Sequence, residues 1–341
     1  MPAALRLTLS TDALVANYRW FAEAAGVPVT AAVKADGYGL GARDVVARLA
    51  AAGARAFAVS SWAEAAALGV LPEGCTLLVL HGFSRCDAAD AAAMPWARPV
   101  LNTPAQCAAW RAAFPARACD VMVETGMNRL GLGDLAAMEG LAVDTVHSHL
   151  ACADEPGHPL TARQLQAFRA LATATPDARH MLANSAGVCI GRDYAFDGVR
   201  PGLGLYGGIP RAEAVGGIAP VVALSARVIQ LSAVRDGDTV GYGATWVAVG
   251  SRQVATLNVG YADGLPRGVA ARLRWRAGDR WCPTVGRISM DMTAVDVTGA
   301  GVAEGDWLTA DFDLATLAAD GPVSQYELLT GLGHRYERRW T

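Results

Sequence analysis

Lysine is almost missing from this chain: of 29 basic side chains in 341 residues only Lys34 is a lysine, and the rest are arginine. Long apolar runs are missing too. No stretch of about 18 apolar residues occurs, so no membrane-spanning helix is expected. The first ten residues, Met-Pro-Ala-Ala-Leu-Arg-Leu-Thr-Leu-Ser, lack the apolar core and cleavage site of a signal peptide, which gives the expectation of a cytoplasmic protein. A strong charge of one sign is also lacking; a net charge of −3 gives no electrostatic reason to expect nucleic acid or an anionic membrane as partner. The seven cysteines are odd in number and scattered, with no CxxC, and read as free thiols in a reducing compartment and as no metal site. What is present is apolar: 52% hydrophobic against 18% charged residues, enough for a well-buried core in one large domain plus a smaller one.

The lone lysine is informative because one task of lysine cannot pass to arginine. A primary amine can lose its proton and condense with an aldehyde, whereas a guanidinium stays protonated and forms no imine. Most lysines are surface charges. The setting of Lys34 argues for more: it ends the apolar run Val29-Thr30-Ala31-Ala32-Val33, and glycines follow at 37 and 39, where chain and ligand can approach closely. Lys34 is a candidate Schiff-base residue.

Between about residues 29 and 200, strand-like runs at 29–33, 56–59, 76–80, 98–101, 119–124, 143–149, 179–183 and 197–200 alternate with alanine-rich helical stretches such as 41–52, 103–113 and 160–173. Eight strands each followed by a helix match a (β/α)8 barrel, a TIM barrel in the α/β class. An open doubly wound sheet is the alternative, since alternation alone does not show closure. A strand at 4–9 and a helix at 11–25 come first. After about residue 214 the pattern changes to the runs 223–231, 253–259 and 293–297, separated by turn chemistry at 235–238, 262–264 and 277–279; helical periodicity is almost absent until 324–332. The expected domains are a barrel over 10–213 and a mostly β domain over 214–341, with the strand at 1–9 added to the latter.

In a barrel of this kind functional groups gather at the C-terminal ends of strands. Lys34 closes the first run, Arg129 follows the fifth, His149 ends the sixth, Asn184 and Ser185 follow the seventh, and Arg200 closes the eighth. Each alone reads as well as a satisfied core histidine, a surface ion pair or a helix cap. Five such positions at one rim read as a site.

The segments that carry these residues closely resemble the alanine racemase family. They are Ala32-Val33-Lys34-Ala35-Asp36-Gly37-Tyr38-Gly39, Glu124-Thr125-Gly126-Met127-Asn128-Arg129-Leu130-Gly131, Ala183-Asn184-Ser185-Ala186-Gly187 and Val199-Arg200-Pro201-Gly202. In the later half, Gly241–Thr245, Gly260–Arg267 and Gly286–Asp291 resemble the same family, all in its order. The resemblance implies a fold-type III pyridoxal 5′-phosphate (PLP) enzyme: a barrel, a C-terminal β domain that takes in the first strand, and a head-to-tail homodimer. It implies interconversion of L- and D-alanine, feeding D-alanine to peptidoglycan. Lys34 would carry the cofactor and serve one face of the substrate, and Tyr261 of the partner subunit the other. His149 would lie between that tyrosine and Arg200, which would face the pyridine nitrogen. Asn184, Ser185, the backbone of Gly202 and Leu203, and the Tyr38 hydroxyl match the cofactor-holding positions. Arg129 would contact the cofactor's phenolic oxygen and the substrate carboxylate, and Met290 and Asp291 from the partner subunit would help bind that carboxylate.

Two departures stand out. Where many family members carry a lysine seven residues before the arginine, often carbamylated, this chain has Met122, so a chloride or a nearby side chain substitutes, or Arg129 is held less firmly. His334 stands where some members have a phosphate-binding tyrosine. Three other functions fit parts of the pattern: a serine or broad-spectrum racemase on the same scaffold, a non-catalytic PLP carrier built from the barrel alone, and a lysine-dependent aldolase barrel without PLP.

Overall fold

Alternation builds the first strand. In β1 (Leu5–Leu9) the leucines at 5, 7 and 9 are buried and Arg6 and Thr8 face outward, the period-2 pattern of a half-buried strand. The computed structural model describes residues 5–319, 321 and 323–341. Residue 4 of the expected first strand, and residues 1–4 of the expected β domain, lie outside the described residues. The chain divides into two units: Leu14–Leu205 with Ile209–Ile218, and the segment through Ala13 with Tyr206–Gly208 and Ala219–Thr341.

In the first unit seven parallel strands follow one another in sequence order: β2 (Thr30–Ala32), β3 (Ala56–Val59), β4 (Thr76–Val79), β5 (Ala97–Leu101), β6 (Cys119–Met122), β7 (Val143–His147) and β8 (Arg179–Met181). The expected eighth strand is reduced to single bridges, Gly198 to Met181 and Val199 to Val29. The segment is nonetheless bonded on both sides: Thr30 donates its N–H to the Val199 carbonyl and Arg200 donates to that of Ala183, each at 2.8 Å. The sheet therefore closes into a barrel, and the open-sheet alternative falls. Pro201 explains the shortness of the eighth element, since it has no N–H to continue a ladder.

The expected helices occur as Ala42–Ala51, Pro104–Ala113 and Pro159–Ala174. At the second, Thr103 caps the Gln106 N–H and proline occupies the first turn. The expectation of a helix after every strand is corrected after β6. There the chain folds back on the strand, with Leu132 N–H donating to Met122 and Glu124 N–H to Leu132, before a short turn at Leu135–Met138. The fold-back requires Gly131, where a Cβ would lie 2.7 Å from the Glu124 nitrogen. Within the barrel Ala58, Leu78, Val100 and Met122 form one apolar layer. Period 2 puts Arg98 and Asp120 on the same faces of β5 and β6 as Val100 and Met122.

The second unit is a β-barrel. β9 (Val222–Val234) pairs antiparallel with β1, with β12 (Arg252–Leu257) and with β16 (Trp307–Ala310). The circuit runs from β12 through β15 (Thr293–Asp296), β14 (Arg280–Val285) and β13 (Arg274–Ala277) to β16. Joined by β9 at both ends, these strands close, while β1 and β17 (Glu337–Trp340) extend the edge in parallel. The expected turn at 277–279 is the tight β13–β14 hairpin, with Gly278 at φ 57°. A ribbon of β10 (Thr239–Val240) and β11 (Trp246–Val247) stands apart. One helix was not expected, Leu314–Ala318, started by Asp313 accepting from the Thr316 N–H; the expected one is Gln325–Thr330, with a Ser324–Glu327 capping box. Among the described residues no helix is long and apolar enough to cross a membrane.

Candidate active site

Lys34 leaves β2 into an uncommon backbone. Ala35, Asp36, Gly37, Tyr38 and Gly39 all have positive φ, from 52° to 84°, one left-handed turn. Such a conformation costs roughly 1–2 kcal/mol per L-residue that is not glycine, so it persists only where neighbours fix it. Here the Glu64 carboxylate accepts from the Ala35 N–H at 2.8 Å and from the Ser60 N–H at 2.6 Å, and Asp36 accepts from the Ala42 N–H at 2.8 Å. The turn leaves the Lys34 amine half-buried at the C-terminal end of β2 and carries Tyr38 inside. Burial lowers the amine's pKa, and the Arg200 and Arg129 charges lower it further against the opposing Glu64. A neutral amine is thereby easier to reach.

Tyr38 runs to the backbone of Gly202. A Cβ at Gly202 would sit 2.1 Å from the Tyr38 hydroxyl oxygen, so only glycine leaves that approach open. Ser185 Oγ accepts from the Gly202 N–H at 2.9 Å and from the Gly204 N–H at 3.4 Å. Leu203 is buried at the start of the turn Leu203–Tyr206. Asn184 acts locally as a cap, accepting from the Gly187 N–H at 2.9 Å while its amide reaches the Leu150 carbonyl. Tyr38, Ser185 and Gly202 thus converge, with hydroxyl and amide donors in one small region.

Arg200 is buried and extends along β7. It donates to His147 Nδ1 at 2.9 Å, to the Ser148 carbonyl at 3.1 Å and, more loosely, to His149 Nδ1 at 3.4 Å. Because a guanidinium only donates, Nδ1 of both histidines must be an acceptor, which puts the ring hydrogen of each neutral imidazole on Nε2. His149 is neutral: burial and the Arg200, Arg129 and Lys34 charges push its pKa down to about 3. His149 lies two residues beyond β7, which ends at His147 and not at the expected 149. Gln164 ties this end of β7 down, accepting from the Ala151 N–H and donating to the His149 carbonyl and to Thr125.

Met122 lies in the apolar layer and leaves no anion beside Arg129 at that position. The loop that carries Arg129 is held through its backbone. Glu124 accepts from the Gly126 N–H at 2.5 Å, and the amides of Asn128, Met127 and Arg129 also favour its charged form, which ties it to the loop that carries the arginine. Burial raises the Glu124 pKa, but the four amides together outweigh it and hold the group below the ordinary glutamate value.

In the β unit, Tyr261 is partly exposed in a short turn, with its N–H on the Ser289 carbonyl and the Arg267 guanidinium over its ring at 5.0 Å. Met290 and Asp291 lie on the neighbouring loop; the Met290 carbonyl accepts from the Ala262 N–H at 2.9 Å. Arg335 clamps both loops, meeting Asp263 at 2.7 Å and Asp291 at 2.8 Å. His334 beside it is exposed.

Comparison with known proteins decides what these two units are together. The N-terminal domain family of alanine racemase matches residues 9–210, and the C-terminal domain family matches residues 221–340. The chain belongs to the alanine racemase family. It is 42% identical to the alanine racemase of Jannaschia sp. (strain CCS1), over 98% of each chain, and 40% identical to that of Acidiphilium cryptum (strain JF-5), over 97% of each. Among solved structures, the alanine racemase of Bartonella henselae, which holds covalently bound pyridoxal phosphate, superposes with a TM-score of 0.91 at 32% identity over the whole of both chains. The biosynthetic alanine racemase of Pseudomonas aeruginosa gives 0.87 at 34% identity over 99% of each.

Within this alanine racemase fold, sequence reading missed the residues that act through others: Glu64, Glu124, Asp120, His147, Gln164 and Arg335. A signal existed for two of them. Asp120 and His147 are polar residues inside otherwise apolar strand runs, where burial demands a partner.

Proposed function

We propose that this chain is a PLP-dependent racemase that interconverts L- and D-alanine, and that its D-alanine supplies peptidoglycan. The observation that carries the reading is Lys34: the chain's sole ε-amine, lowered in pKa, beside Arg200, His149 and Arg129 at the barrel mouth. Features of the same rim support the cofactor. A Cβ would fill the cradle at Gly202, where the hydroxyls of Ser185 and Tyr38 and the backbone around Gly202 and Leu203 come together at a place fit for a phosphate. Arg200 is a buried donor suited to a ring nitrogen that carries no proton. PLP, when bound, supplies an electron sink for the pair left behind as the substrate's α-proton departs.

The protein's own work is to bind, orient and move that proton. Lys34 Nζ serves one face of the substrate Cα, and the phenol oxygen of the partner subunit's Tyr261 serves the other, since exchange through two opposed groups inverts the centre. A phenol's pKa of about 10 makes it a weak base at neutral pH unless a neighbour favours the phenolate. His149 fits that need: Nδ1 is turned to Arg200, so Nε2–H is left to donate to the phenolate oxygen. Arg129, on a loop fixed by Glu124, takes the substrate carboxylate, aided by the partner subunit's Met290 and Asp291. The reading therefore includes a homodimer with sites completed across its interface, in the cytoplasm, where the seven free cysteines would stay reduced.

The test is a racemisation assay with alanine, serine, valine and lysine, with Lys34→Arg as control. Rapid exchange of alanine, weak exchange of the others and none in the control are expected. Full alanine racemisation by Lys34→Arg would overturn the mechanism, and a preference for serine would overturn the substrate.

A further inference from the structure

Behind Arg200 a line of charged and polar side chains crosses the inside of the barrel. Arg200 donates to His147 Nδ1 at 2.9 Å, and His147 Nε2 lies 2.8 Å from Asp120 Oδ2. Arg98 Nε faces the other oxygen of Asp120 at 3.3 Å, out of hydrogen-bond alignment, and Arg98 also pairs with Asp144 at 2.8 Å. Arg179 completes the line on Asp144 at the opposite rim. His147 and Asp120 are fully buried, and the next layer of the barrel is apolar.

Valence fixes the orientation of each member. Arg200 can only donate and an ionised Asp120 can only accept, so His147 must be a neutral imidazole with hydrogen on Nε2, donating to Asp120 and accepting from Arg200. A buried ion network contributes little net stability compared with apolar side chains of the same volume. Its placement, ending on the guanidinium that faces the site, points to orientation as its use.

We propose that His147 and Asp120 are positioning residues that hold the Arg200 guanidinium in place as a fixed, donor-only partner for the cofactor's ring nitrogen. The proposal rests on the PLP reading above. It requires three things of His147: an acceptor toward Arg200, a donor toward Asp120, and no net charge. Glutamine meets all three, whereas phenylalanine meets only the last. With Arg200 adrift, water reaches the ring nitrogen and protonation there becomes possible, which strengthens the electron sink and opens the route to transamination.

The test compares wild type with His147→Gln, His147→Phe and Asp120→Asn, each reconstituted with PLP. The first readout is the visible absorption band without amino acid, recorded from about pH 6 to about pH 9, a range in which an arginine stays protonated. The band should be independent of pH in wild type and His147→Gln and should titrate in His147→Phe. The second is pyridoxamine phosphate formed per racemisation of alanine. It should rise at least about tenfold in His147→Phe, stay near wild type in His147→Gln, and rise less in Asp120→Asn, which keeps an acceptor but loses the charge. If glutamine and phenylalanine variants behave alike on both readouts, the proposal is overturned. Should His147→Phe fail to fold, a wild-type band and product ratio in Asp120→Asn overturn it instead. Wild-type protein that takes up no PLP would sink the cofactor reading itself, whereas uptake with indistinguishable variants sinks this proposal alone.

Discussion

Replacing Gly202 with alanine probes the cradle where it has least room. The added Cβ would lie 2.1 Å from Tyr38 Oη and 2.9 Å from its Cζ, against 3.4–4 Å for ordinary contact. Tyr38 would have to withdraw by more than about 1 Å, yet it is buried and sits on the left-handed turn whose backbone is already strained. Overpacking of this kind costs about 1–3 kcal/mol. Because the Gly202 amide is bonded to Ser185, the same shift displaces donors on both sides of the cradle. Urea unfolding of the PLP-free protein should therefore show Gly202→Ala less stable by that amount. Titration with PLP should show affinity at least about tenfold weaker, a loss of about 1.4 kcal/mol. Tyr38→Phe removes the oxygen that clashes, so the double variant should recover part of the stability, with a coupling of about 0.5–3 kcal/mol. A Gly202→Ala protein with wild-type unfolding midpoint and wild-type PLP affinity would refute the reasoning.

Other outcomes follow from the same geometry. Glu124→Gln should free the Arg129 loop and raise the KM for alanine about tenfold with a smaller change in kcat, the worth of one charge-assisted hydrogen bond; steady-state kinetics checks it, and an unchanged KM contradicts it. Since the folded pKa of Glu124 lies below 4.5, its contribution to stability is present above that value and lost as pH falls through the folded pKa, so this variant should also show a shallower acid limb in unfolding. Arg335→Met leaves the buried Asp263 carboxylate without its cation. Burial already raises the Asp263 pKa, so the variant's stability deficit should be small below about pH 3.8 and grow as pH rises through the folded value; a deficit equal at all pH would contradict this. His149 stays neutral down to about 3, whereas an unfolded histidine takes up a proton near 6.5, so stability should climb with pH across that window. His149→Asn should flatten the climb, as read from denaturant midpoints at a series of pH values.

The barrel was legible because its strands are short apolar runs at even spacing and its helices carry caps such as Thr103-Pro104. That Lys34, Arg129, His149, Ser185 and Arg200 fall at one rim was legible because strand ends in a barrel converge, whatever loops follow. The left-handed turn at 35–39 was not, since three of its residues are types that usually avoid positive φ and the carboxylates that help hold it, Glu64 on the Ala35 N–H and Asp36 on the Ala42 N–H, pair by geometry and not by pattern. Nor could sequence show how the Arg129 loop is held: Glu124 acts on the amides of the loop itself, and backbone bonds leave no mark on residue type. The eighth strand was overcalled because an apolar run does not reveal that Pro201 ends the ladder. The Arg200–His147–Asp120 line joins β6, β7 and the bridged segment after β8, and pairing across a barrel depends on register, which single runs do not fix.

The most direct measurement is borohydride reduction of the PLP-loaded protein followed by peptide mapping. A single pyridoxyl adduct on the peptide containing Lys34, absent from Lys34→Arg, is the predicted result. An adduct on the N-terminal amine alone, or no adduct in protein that racemises alanine, would contradict it.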